Sequence, residues 1–272
     1  MFTERWVFDF VLYAYVLSLL FSYATLLRPN RQARILSSSL LIVVWLTLTL
    51  DIVLRFWDKG NIYGHLEPLL LYTWALITIT LCISLVFQLD LFVFCAGLIG
   101  ITVLTIHLFV SKEVALTAPP GVISELTFVH ITLAISAYAT FSLAGICAML
   151  YLISRRLLKQ KKWNLLMRRL PSLDRLEQFM LWFVGVGVML LLVSLILGTI
   201  WAYQVYGQLH WMDIKVIGSL FLFLLYAVLF GMAWRRWIAT QKVAWWVLIS
   251  MLFVISNYFL SKVYFSFHHW IS

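Results

Sequence analysis

Apolar residues in this 272-residue chain fall into eight long continuous runs that are separated by short polar or basic breaks. Each run is close to the ~20 residues that a helix needs to cross a hydrocarbon core of about 30 Å. The runs do not alternate with a period of two, so they predict helices instead of a β-barrel. The predicted spans are Trp6–Leu27, Ile35–Arg55, Glu67–Phe87, Leu91–Ser111, Leu126–Ser154, Phe179–Tyr206, Asp213–Trp234 and Val243–Ser266.

Composition supports the same fold class. Hydrophobic residues make up 64% of the chain and charged residues only 11%, so a water-soluble globule could not cover its apolar surface. The first run is too long for the apolar core of a signal peptide, lacks a small-residue cleavage site and is followed by basic residues, so we expect it to be retained. The prediction is an all-α integral membrane protein with eight transmembrane helices in one polytopic domain, residues 1–272.

Basic residues are distributed unevenly among the breaks. The net charge is +9, and fourteen of the twenty Lys and Arg residues lie in three breaks, at 28–34, 155–175 and 235–242. The positive-inside rule places these breaks in the cytoplasm and both termini on the non-cytoplasmic side of a bacterial plasma membrane. Because the charges flank membrane helices and form no basic domain, nucleic-acid binding is not expected.

The largest of these breaks, residues 155–177, is predicted to be a basic amphipathic cytoplasmic loop. It contains eight basic residues between 155 and 175, with Trp163, Leu165, Leu166 and Met167 among them. This pattern is typical of a segment that lies on anionic membrane lipid. The same surface could dock a cytosolic enzyme, and both interpretations remain open here.

All six histidines fall on the predicted outer side. A single histidine at a membrane interface is commonly no more than an interfacial residue, and we prefer this interpretation for His65 and His269. His107 and His130 lie inside apolar runs, where ionisable groups are costly and are candidates for function. Further candidates are His210, in the outer loop after the sixth predicted helix, and His268, at the C-terminus.

Haem is the ligand that this outer face favours. Its iron takes imidazoles from two helices, its porphyrin packs against aromatic walls, and its propionates pair with basic groups. Trp201, Trp211 and Lys215 supply such groups, although an interfacial aromatic belt accounts for many of the tryptophans. Zinc is less favoured because no HxxxH or HxxE spacing with a third ligand occurs. The three cysteines form no CxxC pair, which excludes a vicinal-thiol relay.

The segment GTIWAYQVYGQLHWMDIKVIGS resembles the tryptophan-rich haem-handling loop of CcsA-type cytochrome c assembly proteins. Matching positions are Gly198, Trp201, Ala202, Gly207, Asp213 and Lys215. The two loop tryptophans of the family are replaced by His210 and Met212, with Trp211 between them. The resemblance implies that Trp201, Trp211, Asp213 and Lys215 contact haem.

Two further segments resemble the same family. FVHITLAISAYATFSLAGICAMLYL is similar to a family helix that begins with an outer histidine, which implies an axial-ligand role for His130. The C-terminal FHHW is similar to the family's terminal L-H-S-Y and implies the second axial role for His268, with His107 and His210 nearby. Gly231 stands where the family has an intramembrane histidine, so the resemblance implies haem holding more than haem passage.

Over essentially its whole length the chain resembles the HemX group of Gram-positive bacteria, whose LHTF and HWxDxKVIGS segments are similar to TIHLF and HWMDIKVIGS here. This implies bound haem b and a role in haem handling, cytochrome c maturation or regulation of haem biosynthesis. The implied partners are haem, glutamyl-tRNA reductase and cytochrome c assembly proteins.

Two other functions remain as alternatives: a secondary transporter of another hydrophobic or anionic substrate, and a membrane recruitment partner for a cytosolic biosynthetic enzyme. A transporter is disfavoured because the chain has no internal repeat and its five prolines lie at helix ends or in loops. The sequence contains no paired nucleophile and base and no glycine-rich phosphate loop. We therefore expect no enzymatic activity.

Overall fold

A computed structural model describes residues 2–58, 67–87, 89–110, 125–161, 169–207 and 213–263. Within these ranges the chain forms eight α-helices, which confirms the all-α class. They are α1 Phe2–Leu27, α2 Arg31–Asp58, α3 Pro68–Val86, α4 Asp90–Val110, α5 Glu125–Lys159, α6 Leu173–Tyr206, α7 Ile214–Trp234 and α8 Thr240–Val263. The first seven are long and apolar enough to cross a membrane. An eighth span, at α8, remains a prediction.

Four helices, α1, α2, α5 and α6, are longer than the apolar runs that predicted them. Helix α5 continues to Lys159, past the predicted end at Ser154, and α6 begins at Leu173 instead of Phe179. Leu, Arg, Lys and Glu are all good helix formers, so a helix does not stop where its apolar stretch ends. Both ends of the predicted loop 155–177 are therefore helical, and residues 162–168 lie outside the described part of the chain.

One compact unit contains α1 to α4. Helix α1 packs on α2 and α4, and α3 packs on α2 and α4, around a core that includes Tyr15, Val44 and Leu104. The Tyr15 side chain of α1 packs directly on the backbone of α4, because a Cβ on Gly100 would lie 2.9 Å from Tyr15 Cζ. Small residues at helix contacts are characteristic of membrane proteins, where lipid is as apolar as the core and close packing must hold helices together.

Hydrogen bonds between helices add to this packing. Trp45 Nε1 on α2 donates to Thr78 Oγ1 on α3 at 2.8 Å, and Trp74 Nε1 on α3 donates back to Thr49 Oγ1 at 2.9 Å. Such bonds satisfy indole N–H groups that would otherwise lie unpaired in hydrocarbon. The first unit is thus tied both by close contacts and by polar pairs.

The second compact unit contains α5, as far as Arg156, and α6 to α8. Helix α5 is the most buried of the seven candidate spans. Phe141 on α5 stacks on Tyr226 of α7 with ring centroids 3.8 Å apart and planes 4° apart. Such aromatic stacking adds packing contacts along a helix that is buried on most sides. The core of this unit therefore lies along α5, the helix that carries His130.

Candidate site around His130

His130 lies in the second turn of α5, and its imidazole reaches α6 at Ser194. Its Nδ1 lies 2.6 Å from the Ser194 carbonyl oxygen and 3.0 Å from Ser194 Oγ. The Ser194 hydroxyl in turn donates to the His130 carbonyl oxygen at 3.0 Å. Because a carbonyl oxygen only accepts, this network places the proton of a neutral imidazole on Nδ1. The Nε2 nitrogen then carries the unprotonated lone pair of the ring, the form in which a histidine binds a metal.

The His130 ring packs directly on the backbone of α6. A Cβ on Gly198 would lie 2.6 Å from His130 Cε1 and 2.9 Å from Nδ1, distances that real Cβ atoms do not adopt. Ser194, Gly198 and Trp201 follow one another at spacings of four and three, so they share one face of α6. Trp201 is only 1% exposed. This face of α6 thus provides a polar group, a bare backbone and an aromatic ring in succession.

The connection after α6 has well-defined ends on either side of residues 208–212. Gly207 ends α6 in the left-handed region at φ 67°, and its N–H donates to the Tyr203 carbonyl oxygen. Asp213 caps α7, because its carboxylate accepts hydrogen bonds from the backbone N–H groups of Lys215 at 2.8 Å and Val216 at 3.3 Å. Both residues have the types that these caps favour.

Lys215 follows this cap in the first turn of α7. Its ammonium group lies within electrostatic range of both the Asp213 carboxylate and the His130 ring. A positive charge therefore accompanies the imidazole in the second unit. The partly buried position is expensive for an ammonium group unless an anion compensates it, and the Asp213 carboxylate is one such anion.

His107 belongs to the first unit and is 4% exposed. Its Nε2 lies 2.8 Å from a carboxylate oxygen of Glu67, the residue that precedes α3, and its ring lies 5.6 Å from that of Phe8. The contact ties the start of α3 to the end of α4. Because Nε2 is engaged with a carboxylate, the same nitrogen is not also available to a metal.

Comparison of the sequence with those of known proteins places the chain in a family. Residues 62–269 match the family described as cytochrome C assembly protein, and the match includes His130, Ser194, Gly198 and Lys215. The chain belongs to this family. It is 33% identical to protein HemX of Brevibacillus brevis over 268 residues, which cover 98% of both chains. It is also 35% identical to protein HemX of Bacillus subtilis (strain 168) over 261 residues, 95% of this chain and 94% of the relative.

These relations confirm the resemblance that the sequence motifs indicated. With seven helices long and apolar enough to span a bilayer, this member of the cytochrome C assembly family is a multi-pass bacterial membrane protein. The similarity to the HemX proteins extends from one end of the chain to the other, so it includes both four-helix units.

The predicted site residues of this family member divide into three groups. His130, Lys215 and Asp213 all lie in the second unit. Trp201 lies on the helix face that His130 contacts. His107 is paired with Glu67 in the first unit. His268, His210 and Trp211 lie outside the described residues. Within the described ranges, no group of three His, Cys, Asp or Glu side chains could hold a metal ion.

Sequence reasoning missed the role of Ser194 and recognised Gly198 only as a motif position. The available signal was the spacing of Ser194, Gly198 and Trp201 on one face of an apolar helix. That spacing shows that the three share a surface. It does not show which residue of another helix lies against it, because His130 is 64 positions away along the chain.

Proposed function

We propose that the protein binds haem b, with His130 Nε2 as one axial ligand and His268 as the other. The observation that carries this proposal is the hydrogen bond from His130 Nδ1 to the Ser194 carbonyl oxygen at 2.6 Å. Histidines that bind metals typically donate their second ring N–H to a carbonyl or carboxylate, which fixes the tautomer and makes the ligating nitrogen more basic. The His130 ring has this arrangement.

The groups around His130 fit the rest of a haem. The Lys215 ammonium provides a positive charge for a propionate, and Asp213 holds the start of α7 through its cap. Trp201, together with Trp211 and His210 of the adjoining loop, supplies aromatic surface for a porphyrin edge. If haem is bound, its iron would accept lone pairs from the imidazole nitrogens. The protein would orient those imidazoles and exclude water. We assign His107 to the pair with Glu67.

We place the haem site on the non-cytoplasmic face. The basic breaks at 28–34, 155–175 and 235–242 would then lie in the cytoplasm, with both termini outside. In this topology His130, near the start of α5, and Lys215, near the start of α7, lie on the same side of the membrane. A reporter enzyme that folds only outside the cytoplasm should be active when fused after Ser272, and inactivity of that fusion would contradict the topology.

We propose that haem binding at this position serves haem handling, cytochrome c maturation or regulation of haem biosynthesis. We propose no enzymatic step. Helices α5 and α6 run without a break over 35 and 34 residues, whereas secondary transporters commonly bind substrate at broken helices. For regulation, the basic segment 155–177 is the surface that would meet membrane lipid or a cytosolic partner such as glutamyl-tRNA reductase.

The test is the absorption spectrum of the detergent-purified protein after haemin addition. We expect a low-spin, six-coordinate spectrum for the wild type and a five-coordinate or absent spectrum for His130→Ala and His268→Ala. His269→Ala is the matched control for His268→Ala, and His107→Ala is the control for a buried histidine. Both controls should retain the wild-type spectrum.

Two results would contradict the proposal. A wild-type protein that takes up no haemin would exclude haem binding. A wild-type spectrum in His130→Ala would show that a different residue binds the iron, and its loss in His107→Ala would move the site to the first unit.

A further inference from the structure

Three separate contacts restrain one imidazole ring. The Ser194 carbonyl oxygen accepts from His130 Nδ1, the Ser194 hydroxyl bonds the backbone of His130, and the bare backbone at Gly198 lies against the ring. The carbonyl oxygen determines which nitrogen carries the proton. The hydroxyl holds the two helices at the level of the ring, and Gly198 determines how closely the ring approaches α6. A buried imidazole needs an acceptor for its ring N–H whatever its role, but here the Ser194 hydroxyl and the bare backbone at Gly198 also fix its distance from α6.

We propose that Ser194 and Gly198 are positioning residues that hold His130 in its Nδ1–H tautomer before any ligand binds, which leaves Nε2 unprotonated. The purpose of this arrangement rests on the proposed haem function, whereas the tautomer itself is a property of the haem-free protein. Preorganisation of this kind removes the cost of reorienting a ligand when the metal arrives.

The geometry explains why both residues are needed. At 2.6 Å the Nδ1 to oxygen contact is at the short end of N–H···O distances, so it depends on close approach of the ring to α6. Alanine at position 198 would place a methyl group 2.6 Å from Cε1, 2.9 Å from Nδ1 and 3.2 Å from Nε2 of His130. The ring would have to withdraw, which would break the hydrogen bond to Ser194.

The first experiment uses the haem-free protein labelled with ¹⁵N-histidine, in detergent, and measures the protonation of each ring nitrogen by NMR. His130 is assigned by the signal that disappears in His130→Gln. We expect a protonated Nδ1 and an unprotonated Nε2 in the wild type. Gly198→Ala should lose this pattern, Ser194→Ala should weaken it, and Ser194→Thr, which keeps the hydroxyl, should restore it.

Two variants serve as matched controls. Thr199→Ala removes a hydroxyl that donates to the Ile196 carbonyl oxygen of its own helix at 2.8 Å. Gly231→Ala adds a methyl group to a position that has no other side chain of the described residues within 4 Å. Both should leave the His130 signals unchanged, which separates ring positioning from a general response to substitution. Ser194→Ala only removes atoms, so it keeps the test valid if Gly198→Ala does not fold.

The second experiment loads the same variants with haemin. We expect Gly198→Ala and Ser194→Ala to lower haemin affinity about 10–100-fold, the usual effect of losing a residue that supports a metal ligand. Gly198→Ala should also lose the six-coordinate spectrum. A folded Gly198→Ala protein that keeps the Nδ1–H tautomer, or a wild type protonated on Nε2, would overturn the positioning role even if His130 binds haem. If instead the tautomer responds as expected but no protein takes up haemin, positioning is supported and the haem function fails.

Discussion

A polar bridge inside the second unit allows one packing prediction to be worked out in detail. Asn257 on α8 is 7% exposed, and its Nδ2 donates to Tyr138 Oη on α5 at 3.0 Å and to Ser219 Oγ on α7 at 3.4 Å. A Cβ on Gly218 would overlap Asn257 Oδ1. An ordinary carbon–oxygen contact is about 3.3–3.6 Å, so Gly218→Ala would displace the amide from its two hydrogen bonds.

The expected loss of stability follows from three contributions. Overpacking of a tight contact costs about 1–3 kcal/mol. Two interhelical hydrogen bonds in a membrane add about 0.6 kcal/mol each, and replacing Gly by Ala in a helix returns about 1 kcal/mol. The net destabilisation is therefore about 1–3 kcal/mol. For a domain of this size, that corresponds to a decrease in Tm of about 2–10 °C.

The assay is thermal unfolding followed with a thiol-reactive dye. Cys147 is fully buried in α5, so it reacts only when the second unit opens, and a Cys82→Ser/Cys95→Ser background removes the exposed and the half-buried thiols. Asn257→Ala/Gly218→Ala should be at least as stable as Asn257→Ala alone, because the clash needs the amide. Gly231→Ala, in open space, should not lower Tm.

Two outcomes would refute this reasoning. The first is a Gly218→Ala protein with the Tm of the wild type. The second is a double variant whose loss of stability equals the sum of the two single losses, since contacting residues should instead show a coupling energy of about 1 kcal/mol or more.

Three other contacts yield shorter predictions. Glu67→Ala leaves the buried His107 of the first unit without its carboxylate and should cost about 1–3 kcal/mol, measured by thermal unfolding followed by circular dichroism, with a smaller further loss in the double variant with His107→Ala. Asp90→Ala breaks the 2.6 Å ion pair with Arg34. The Arg34 side chain is 37% exposed and the Asp90 side chain is 19% exposed, so the pair is partly solvated. A loss of stability above about 1 kcal/mol would contradict this interpretation. Among the described residues the Tyr226 hydroxyl has no hydrogen-bond partner, so Tyr226→Phe should keep or raise Tm, and a clear decrease would reveal a partner for that hydroxyl.

Local signals in the sequence were sufficient for the helices and for several of their ends. Apolar runs of membrane-spanning length predicted all eight helices, because a backbone in lipid has few alternatives to helix. Gly207 and Asp213, noted first as motif positions, end α6 and start α7 through caps that need only neighbouring backbone. His130 was identifiable because an ionisable residue within an apolar run is unusual.

Helix boundaries at the polar ends were predicted less well. Helices α5 and α6 extend beyond the apolar runs by several residues, since hydropathy records the position of lipid and not the end of the hydrogen-bonded backbone. A pattern that reflects burial in the membrane therefore underestimates a helix that continues into water.

Only the tertiary structure decided which partner each polar side chain meets. His130 and Ser194 are 64 residues apart, and Tyr138 and Asn257 are 119 apart. His107 and His130 were equivalent candidates in the sequence, yet one imidazole uses Nε2 to contact Glu67 and the other uses Nδ1 to contact a carbonyl oxygen. Helical periodicity determines the face on which a residue lies, whereas the facing residue depends on how helices pack, and that packing determines which ring nitrogen stays free.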